Sequence, residues 1–119
     1  LKKLDLAGNY ITDLTPINFL VSLQELSLGG NQISDLSPLS NIKTLKLFSA
    51  ENNRIKDLQP LSGLYSLEII DIAENNIITL APLNELKALK MLIASGNASI
   101  KDSELARLAA NLPGCSIHR

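Results

Sequence analysis

Few side chains in this sequence could do chemistry, and their spacing decides against most of it. The only histidine, His118, stands three residues after the only cysteine, Cys115. A thiolate and an imidazole suit a zinc-like cation, but such a site needs further ligands and the chain has no second Cys or His. No metal site is expected; a buried structural thiol and a surface imidazole are the plainer reading. The same histidine is the only imidazole that could activate a serine, and its place one residue from the end leaves no Ser–His–Asp arrangement. Gly29-Gly30 lacks the spacing of a phosphate-cradling loop, and no Lys-Ser or Lys-Thr follows it. Asn97-Ala98-Ser99 is a glycosylation sequon by pattern. Asp13, Asp35 and Asp57 recur at a constant spacing, which marks them as turn formers rather than an acid–base pair. These readings argue against an enzyme and against a bound cofactor.

Bulk composition narrows the partners. The chain has 119 residues, 45% of them hydrophobic and 19% charged, as in one globular domain. Its net charge of −1 offers nothing to a polyanion, and aromatics at 3% are too few for a base-stacking surface, so no nucleic-acid partner is expected. No apolar run approaches the roughly 18 residues that span a bilayer, so membrane insertion is not expected either. A single cysteine excludes an intrachain disulfide. The sequence opens on Leu1-Lys2-Lys3, with neither an initiator Met nor a signal-peptide pattern, and reads as a piece of a longer chain.

What must position any functional residue is a repeat. Asn9, Asn31, Asn53, Asn75 and Asn97 stand 22 apart, and Leu1, Leu23, Leu45, Leu67 and Leu89 keep the same step. So do Leu4, Leu26, Phe48, Ile70 and Leu92, then Leu6, Leu28, Ala50, Ile72 and Ala94, and finally Pro16, Pro38, Pro60 and Pro82. A period in the twenties means a solenoid, in which each unit buries its apolar face only against its neighbours. Within "LKKLDLAGN" the fourth and sixth residues share one face of a strand, because strand side chains alternate with period two. The asparagine falls where the strand ends and the chain turns inward. Its amide can satisfy turn backbone groups that would otherwise be buried unpaired, so the asparagine column is a structural ladder. On that reading Asn97 points inward and its sequon stays unmodified. Proline fixes φ and donates no N–H, so the outer wall is extended or a short 3₁₀ turn. The large Phe48 with the small Ala50, both inward, suggests compensated core volume.

The frame L-x-x-L-x-L-x-x-N-x-I-x-D-L-x-P-L-x-x-L resembles the leucine-rich repeat in its 22-residue form. The wording "NQISDLSPLSNI" is most similar to bacterial internalins, with the short repeats of a protein-phosphatase regulatory subunit close behind. The resemblance implies an α/β solenoid: a right-handed coil with one short parallel strand per repeat, a 3₁₀ or extended convex side and a helical C-terminal cap. Five repeats would occupy residues 1–97, starting at 1, 23, 45, 67 and 89. The internalin-like reading implies a bacterial surface or secreted protein; the phosphatase-regulator type implies a cytosolic or nuclear one.

After Asn97 the pattern changes to "ASIKDSELARLAANLPGCSIHR". Leu105, Leu108, Ala109 and Leu112 fall on one helical face, which predicts a helix near 102–112. Asp102 or Ser103 is expected to cap its start and Pro113-Gly114 to end it, with "CSIHR" as a last short strand. Residues 98–119 are therefore expected to cap the C-terminal end of the core.

The remaining signal lies on the other strand face. Its third positions read Lys3, Glu25, Leu47, Ile69 and Met91; its fifth, Asp5, Ser27, Ser49, Asp71 and Ile93; its seventh, Ala7, Gly29, Glu51, Ala73 and Ser95. Nothing in the repeat requires Leu47, Ile69, Met91 and Ile93 to be apolar. With Ser49, Glu51 and Asp71 beside them, and Glu68, Glu74, Lys46 and Lys90 around, they make an apolar centre with a polar rim, the anatomy of a protein-binding patch. The expected function is binding of a protein partner through this concave face. The alternative is a structural spacer with no ligand of its own on this stretch. Whether the Leu47–Ile69–Met91 ridge is open to solvent divides the two.

Overall fold

A computed structural model describes residues 1–119. Six strands, each three residues long, form one parallel sheet in chain order: β1 Lys3–Asp5, β2 Glu25–Ser27, β3 Leu47–Ser49, β4 Ile69–Asp71, β5 Met91–Ile93 and β6 Ser116–His118. Leu4, Leu26, Phe48, Ile70, Leu92 and Ile117 are register partners across it. The strands are one residue shorter than the alternation predicts, and the chain bends at the eighth and ninth repeat positions. Bonding between coils continues beyond the strands: Leu28 N–H donates to the Ser49 carbonyl at 2.7 Å, and Gly30 N–H to that of Glu51 at 2.9 Å.

The outer wall is built of four 3₁₀ turns, Thr15–Ile17, Ser37–Leu39, Gln59–Leu61 and Ala81–Leu83, each with its proline in the first turn. The carboxylates ahead of them are turn formers, as their spacing predicts. Asp13 accepts from the Thr15 N–H (2.9 Å) and hydroxyl (2.6 Å), and Asp35 likewise from Ser37 (2.9 and 2.7 Å). Asp57 accepts from the Gln59 N–H at 2.8 Å. In the fourth turn Thr79 takes the aspartate's place, its hydroxyl accepting from the Ala81 N–H.

Between sheet and turns runs a core one coil thick. Phe48 and Ala50 both point into it, 1% and 0% exposed, so the large ring and small methyl do share the interior. At the N-terminal end Leu4, Leu6, Ile11, Ile17 and Leu20 are only partly buried, because the first coil has a neighbour on one side alone.

The asparagine column binds the coils together. Asn53 donates from Nδ2 to the Ala50 carbonyl of its own coil (3.0 Å) and the Leu28 carbonyl of the coil before (2.9 Å), while its Oδ1 accepts from Ile33 N–H (2.9 Å). Asn31, Asn75 and Asn97 repeat the pattern, and all four are buried. Asn9 departs from the expected column: it is exposed and bonds only the Leu6 and Ala7 carbonyls of its own coil, having no earlier coil beneath it. Asn53→Ala would strand the buried Ile33 N–H and delete three further bonds, to the carbonyls of Leu28, Ala50 and Glu51. It is expected to lower unfolding free energy by about 2–4 kcal/mol, against under about 1 kcal/mol for Asn9→Ala, whose partners face water. Urea denaturation of the two variants checks this; equal losses would mean that the amide network does not hold the coils.

The C-terminal segment places helix α1, Asp102–Asn111, beside the turn at Ala81–Leu83. Two details differ from the sequence expectation. The N-cap is Lys101 and makes no side-chain cap; Asp102 and Ser103 lie inside the first turn instead. Asp102 pairs with Arg119, and Glu104 reaches back to the preceding coil, so neither carboxylate is spent on its own helix. Glu104 accepts from the Thr79 hydroxyl (3.1 Å to each oxygen) and from Leu80 N–H (3.2 Å). The inward face is also narrower than predicted: Leu108 and Leu112 are buried and Leu105 half-buried, but Ala109 is exposed, because the helix rests on a convex wall rather than in a groove. Deleting residues 102–119 would bare Leu92 and Ala94 and leave β5 as a raw edge. The shortened chain is expected to aggregate or lose cooperative unfolding, read by light scattering and thermal melting; a soluble monomer with a sharp transition would show that the segment does not seal the core.

Candidate functional site

On the open face of the sheet the third-position residues line up in register, Lys3 beside Glu25, then Leu47, Ile69, Met91 and Ser116. The fifth-position column runs Asp5, Ser27, Ser49, Asp71, Ile93 and His118. Neighbouring parallel strands lie about 4.8 Å apart, which brings successive side chains of each column into contact. Between the columns lies an open depression of about 230 Å³. Leu47, Ile69, Ile93, Ser49 and Asp71 line it, together with Glu25 and Ser27, over a floor of Leu26 and Phe48. All of these are strand residues; α1 contributes none.

Of the residues singled out from sequence, five therefore converge. Glu51 sits at the edge, tied to the depression by the Ser49 hydroxyl, which donates to its carboxylate at 2.5 Å. Met91 flanks Ile69 in register but does not line the depression. Glu25 and Ser27 are additions. They belong to the same two columns one strand earlier, and their polarity made them look like the patch's border rather than its wall. The Leu47–Ile69–Met91 ridge is half-buried and partly open to solvent.

The charges divide by edge. Toward the strand starts Lys3 pairs with Glu25 at 3.2 Å and Lys90 with Glu68 at 3.1 Å, while Lys46 is exposed and has no carboxylate within 4.0 Å. Toward the strand ends Glu51 and Asp71 have no cation within 4.0 Å. Burial pushes the Asp71 carboxyl above the usual carboxylate range, and the Glu51 charge adds to this against a stabilising Ala73 N–H at 3.1 Å. Asp13 and Asp35, on the opposite wall, are lowered by the hydroxyls of Thr15 and Ser37 and by the same residues' N–H groups. No three His, Cys, Asp or Glu side chains converge as a metal site would need. Cys115 is half-buried rather than fully buried, its thiol pushed up by burial, and His118 is exposed beside the Ser116 hydroxyl at 3.0 Å. The Asn97 amide is committed to the ladder, which leaves it inaccessible to a glycosyl donor in the folded chain. No helix is long and apolar enough to cross a membrane.

Comparison with known proteins fits this geometry. The family of "Leucine Rich repeats (2 copies)" matches residues 1–41 and again 42–88. The chain is a leucine-rich repeat protein. Among solved structures it is similar to an internalin of Listeria monocytogenes, with 31% identity and a TM-score of 0.92 over 99% of this chain and 34% of that one. A leucine-rich repeat protein of Leptospira interrogans is similar at 32% identity and a TM-score of 0.91, over 100% of this chain and 31% of that one. A chain of the Drosophila melanogaster SNF/U2A′ complex shares the fold at 23% identity and a TM-score of 0.77, over 97% of this chain and 71% of that one. The present chain thus spans about a third of the length of the two bacterial structures. No curated protein matches it. Leucine-rich repeats are in general protein-interaction modules, and typically not enzymes.

One column of these repeats carries conformational strain. At each bend the chain takes a left-handed residue: Gly8 (φ 74°), Gly30 (69°), Asn52 (57°), Glu74 (55°) and Gly96 (77°). Glycine adopts this region freely and asparagine tolerates it, whereas glutamate pays a Cβ–carbonyl clash of roughly 1–2 kcal/mol. Glu74→Gly removes that clash at the cost of a more flexible unfolded chain, about 0.4–1 kcal/mol. A net gain of about 0.5–1 kcal/mol is expected, with β-branched Glu74→Val destabilising. Denaturant midpoints at unchanged m-value test the pair; a loss with glycine would show that the Glu74 side chain, which lies against Gly96, contributes more than the strain removes.

Proposed function

We propose that this stretch of leucine-rich repeats binds a protein partner through its concave sheet face. Leu47, Ile69, Met91 and Ile93 form the apolar centre, and Ser49, Glu51 and Asp71 its polar edge. The observation that carries this reading is the change along a single column. Its first two members, Lys3 and Glu25, form an ion pair, and its next three are aliphatic at positions that point away from the core. The core beneath is already filled by Leu26, Phe48, Ile70 and Leu92, so these aliphatic residues are not needed to complete it. Apolar centres ringed by polar groups gain from excluding water when a partner closes over them.

The test is affinity for the partner that the full-length protein retains in a pull-down, measured by calorimetry. Ile69 lies at the middle of the ridge, where a substitution counts most. Ile69→Asp is expected to weaken binding by 2 kcal/mol or more, on the order of a buried hot spot, with a nearly unchanged melting temperature. Asp13→Ala and Asp35→Ala, on the outer turns, are expected to lower the unfolding midpoint and leave affinity alone. Parental binding by Ile69→Asp, with loss on a convex-face change, would place the interface on the other wall. Indifference of binding to every face of these coils would make the stretch a spacer.

A further inference from the structure

The depression between β2 and β5 combines two features that seldom suit the same occupant. Its walls are aliphatic, Leu47, Ile69 and Ile93, and its volume of about 230 Å³ is below the roughly 300–1,000 Å³ of small-molecule pockets. It fits one side chain better than a free ligand. Yet Asp71 lies in its lining and Glu51 on its lip, both without a cation, while Glu25 at the far end is already held by Lys3. One oxygen of Asp71 takes the Ala73 N–H, and the other has no donor within the chain. Glu51 takes the Ser49 hydroxyl with one oxygen, and the other, which lies over Gly29 of the preceding coil, has no donor. Partial burial of Asp71 disfavours its charge, and the Glu51 carboxylate, one strand away, adds a smaller repulsion. A cation arriving between them would relieve both terms.

We propose that this depression receives an arginine side chain of the protein partner, its stem on Leu47 and Ile69 and its guanidinium on Asp71 and Glu51. The proposal rests on the concave-face reading and specifies its partner: a segment with an arginine flanked by aliphatic residues, these last meeting Met91 and Ile93. Arginine suits the site better than lysine. Its planar head has apolar faces that lie on aliphatic walls, and its fork of donors can serve two carboxylates at once, whereas the lysine ammonium is compact and strongly hydrated. A metal ion fits poorly, because no third ligand joins the two carboxylates.

The experiment is a random-peptide phage selection against the 119-residue chain, with eluted clones sorted by their sensitivity to Ile69→Asn, which breaks the apolar ridge without adding charge. Sensitive clones are expected to be enriched in arginine next to Leu, Ile or Val. A synthetic peptide from that set is expected to bind Asp71→Asn at least about tenfold more weakly than the parent, with a flatter dependence on salt. Asn keeps an oxygen for the Ala73 N–H, so a thermal melt of this variant should match or exceed the parent's. Replacing the peptide's arginine by lysine should cost part of the affinity, and replacing it by citrulline nearly all. Charge exchange, Asp71→Arg with a peptide carrying Asp in place of Arg, should recover a measurable share. Clones that respond to Ile69→Asn but show no arginine preference and bind Asp71→Asn normally would overturn the arginine site while leaving the concave face intact. Clones indifferent to Ile69→Asn, or no concave-face clones at all, would overturn both.

Discussion

Every coil of this protein hangs on a shared carbonyl. The Leu28 oxygen accepts from Asn31 of its own coil and from Asn53 of the next; the Ala50 oxygen accepts from Asn53 and Asn75, and the Ile72 oxygen from Asn75 and Asn97. A carbonyl has two lone pairs, and here both are used. The same amides accept, on their Oδ1 side, the N–H groups of Ile33, Ile55 and Ile77. An inward turn would otherwise bury these groups without water, which interiors rarely permit. The period follows from this bond set. An insertion of one residue between Ala50 and Asn53 would move the amide off two carbonyls and one N–H together. The leucine columns tolerate Phe48, Ala50 and Ala94 because packing can compensate volume; the amide column tolerates nothing else in five coils.

The ladder also explains what the outer and inner walls are free to do. With the turn held from inside, the convex wall needs only a proline-fixed 3₁₀ step and a side chain to receive one N–H, a role shared by Asp13, Asp35, Asp57 and Thr79. The substitution of Thr79 has a structural counterpart: with no carboxylate there, the hydroxyl and the Leu80 N–H are left to Glu104 of α1. On the sheet side the third and fifth positions lie outside the core, and their character changes from coil to coil, although Asp5 and Asp71 each still accept the N–H two residues on. Ion pairs occupy one end of the open face and aliphatic residues the middle, with unpaired carboxylates at the strand ends.

Much of this was legible in the sequence because a solenoid converts periodicity directly into geometry. Leu26, Phe48, Ile70 and Leu92 could be placed opposite one another by counting, and so could Leu47 with Ile69. What counting missed depends on side chains leaving their own coil. The helix start looked capped by Asp102 or Ser103, but Asp102 is drawn to Arg119 and Glu104 to Thr79, contacts that no local spacing displays. Ala109 satisfied the helical period yet stays exposed, since the period shows which residues share a face and not how wide a surface that face meets. Glu25 and Ser27 were in the right columns but of the wrong polarity to be read as walls. The left-handed position was present as Gly8, Gly30, Asn52 and Gly96 in step; Glu74 hid it by being a residue that seldom adopts that backbone.

The bonds joining neighbouring coils run along the long axis of the molecule, from Gly8 N–H to Gly29, from Gly30 N–H to Glu51 and from Glu74 N–H to Ser95. A force applied to the two ends would therefore pull each bond nearly along its own length and peel coils apart in succession, rather than shearing a whole sheet at once. Each coil released would add its contour of chain, and each could re-form against the coil still in place, whose amides and carbonyls stay presented.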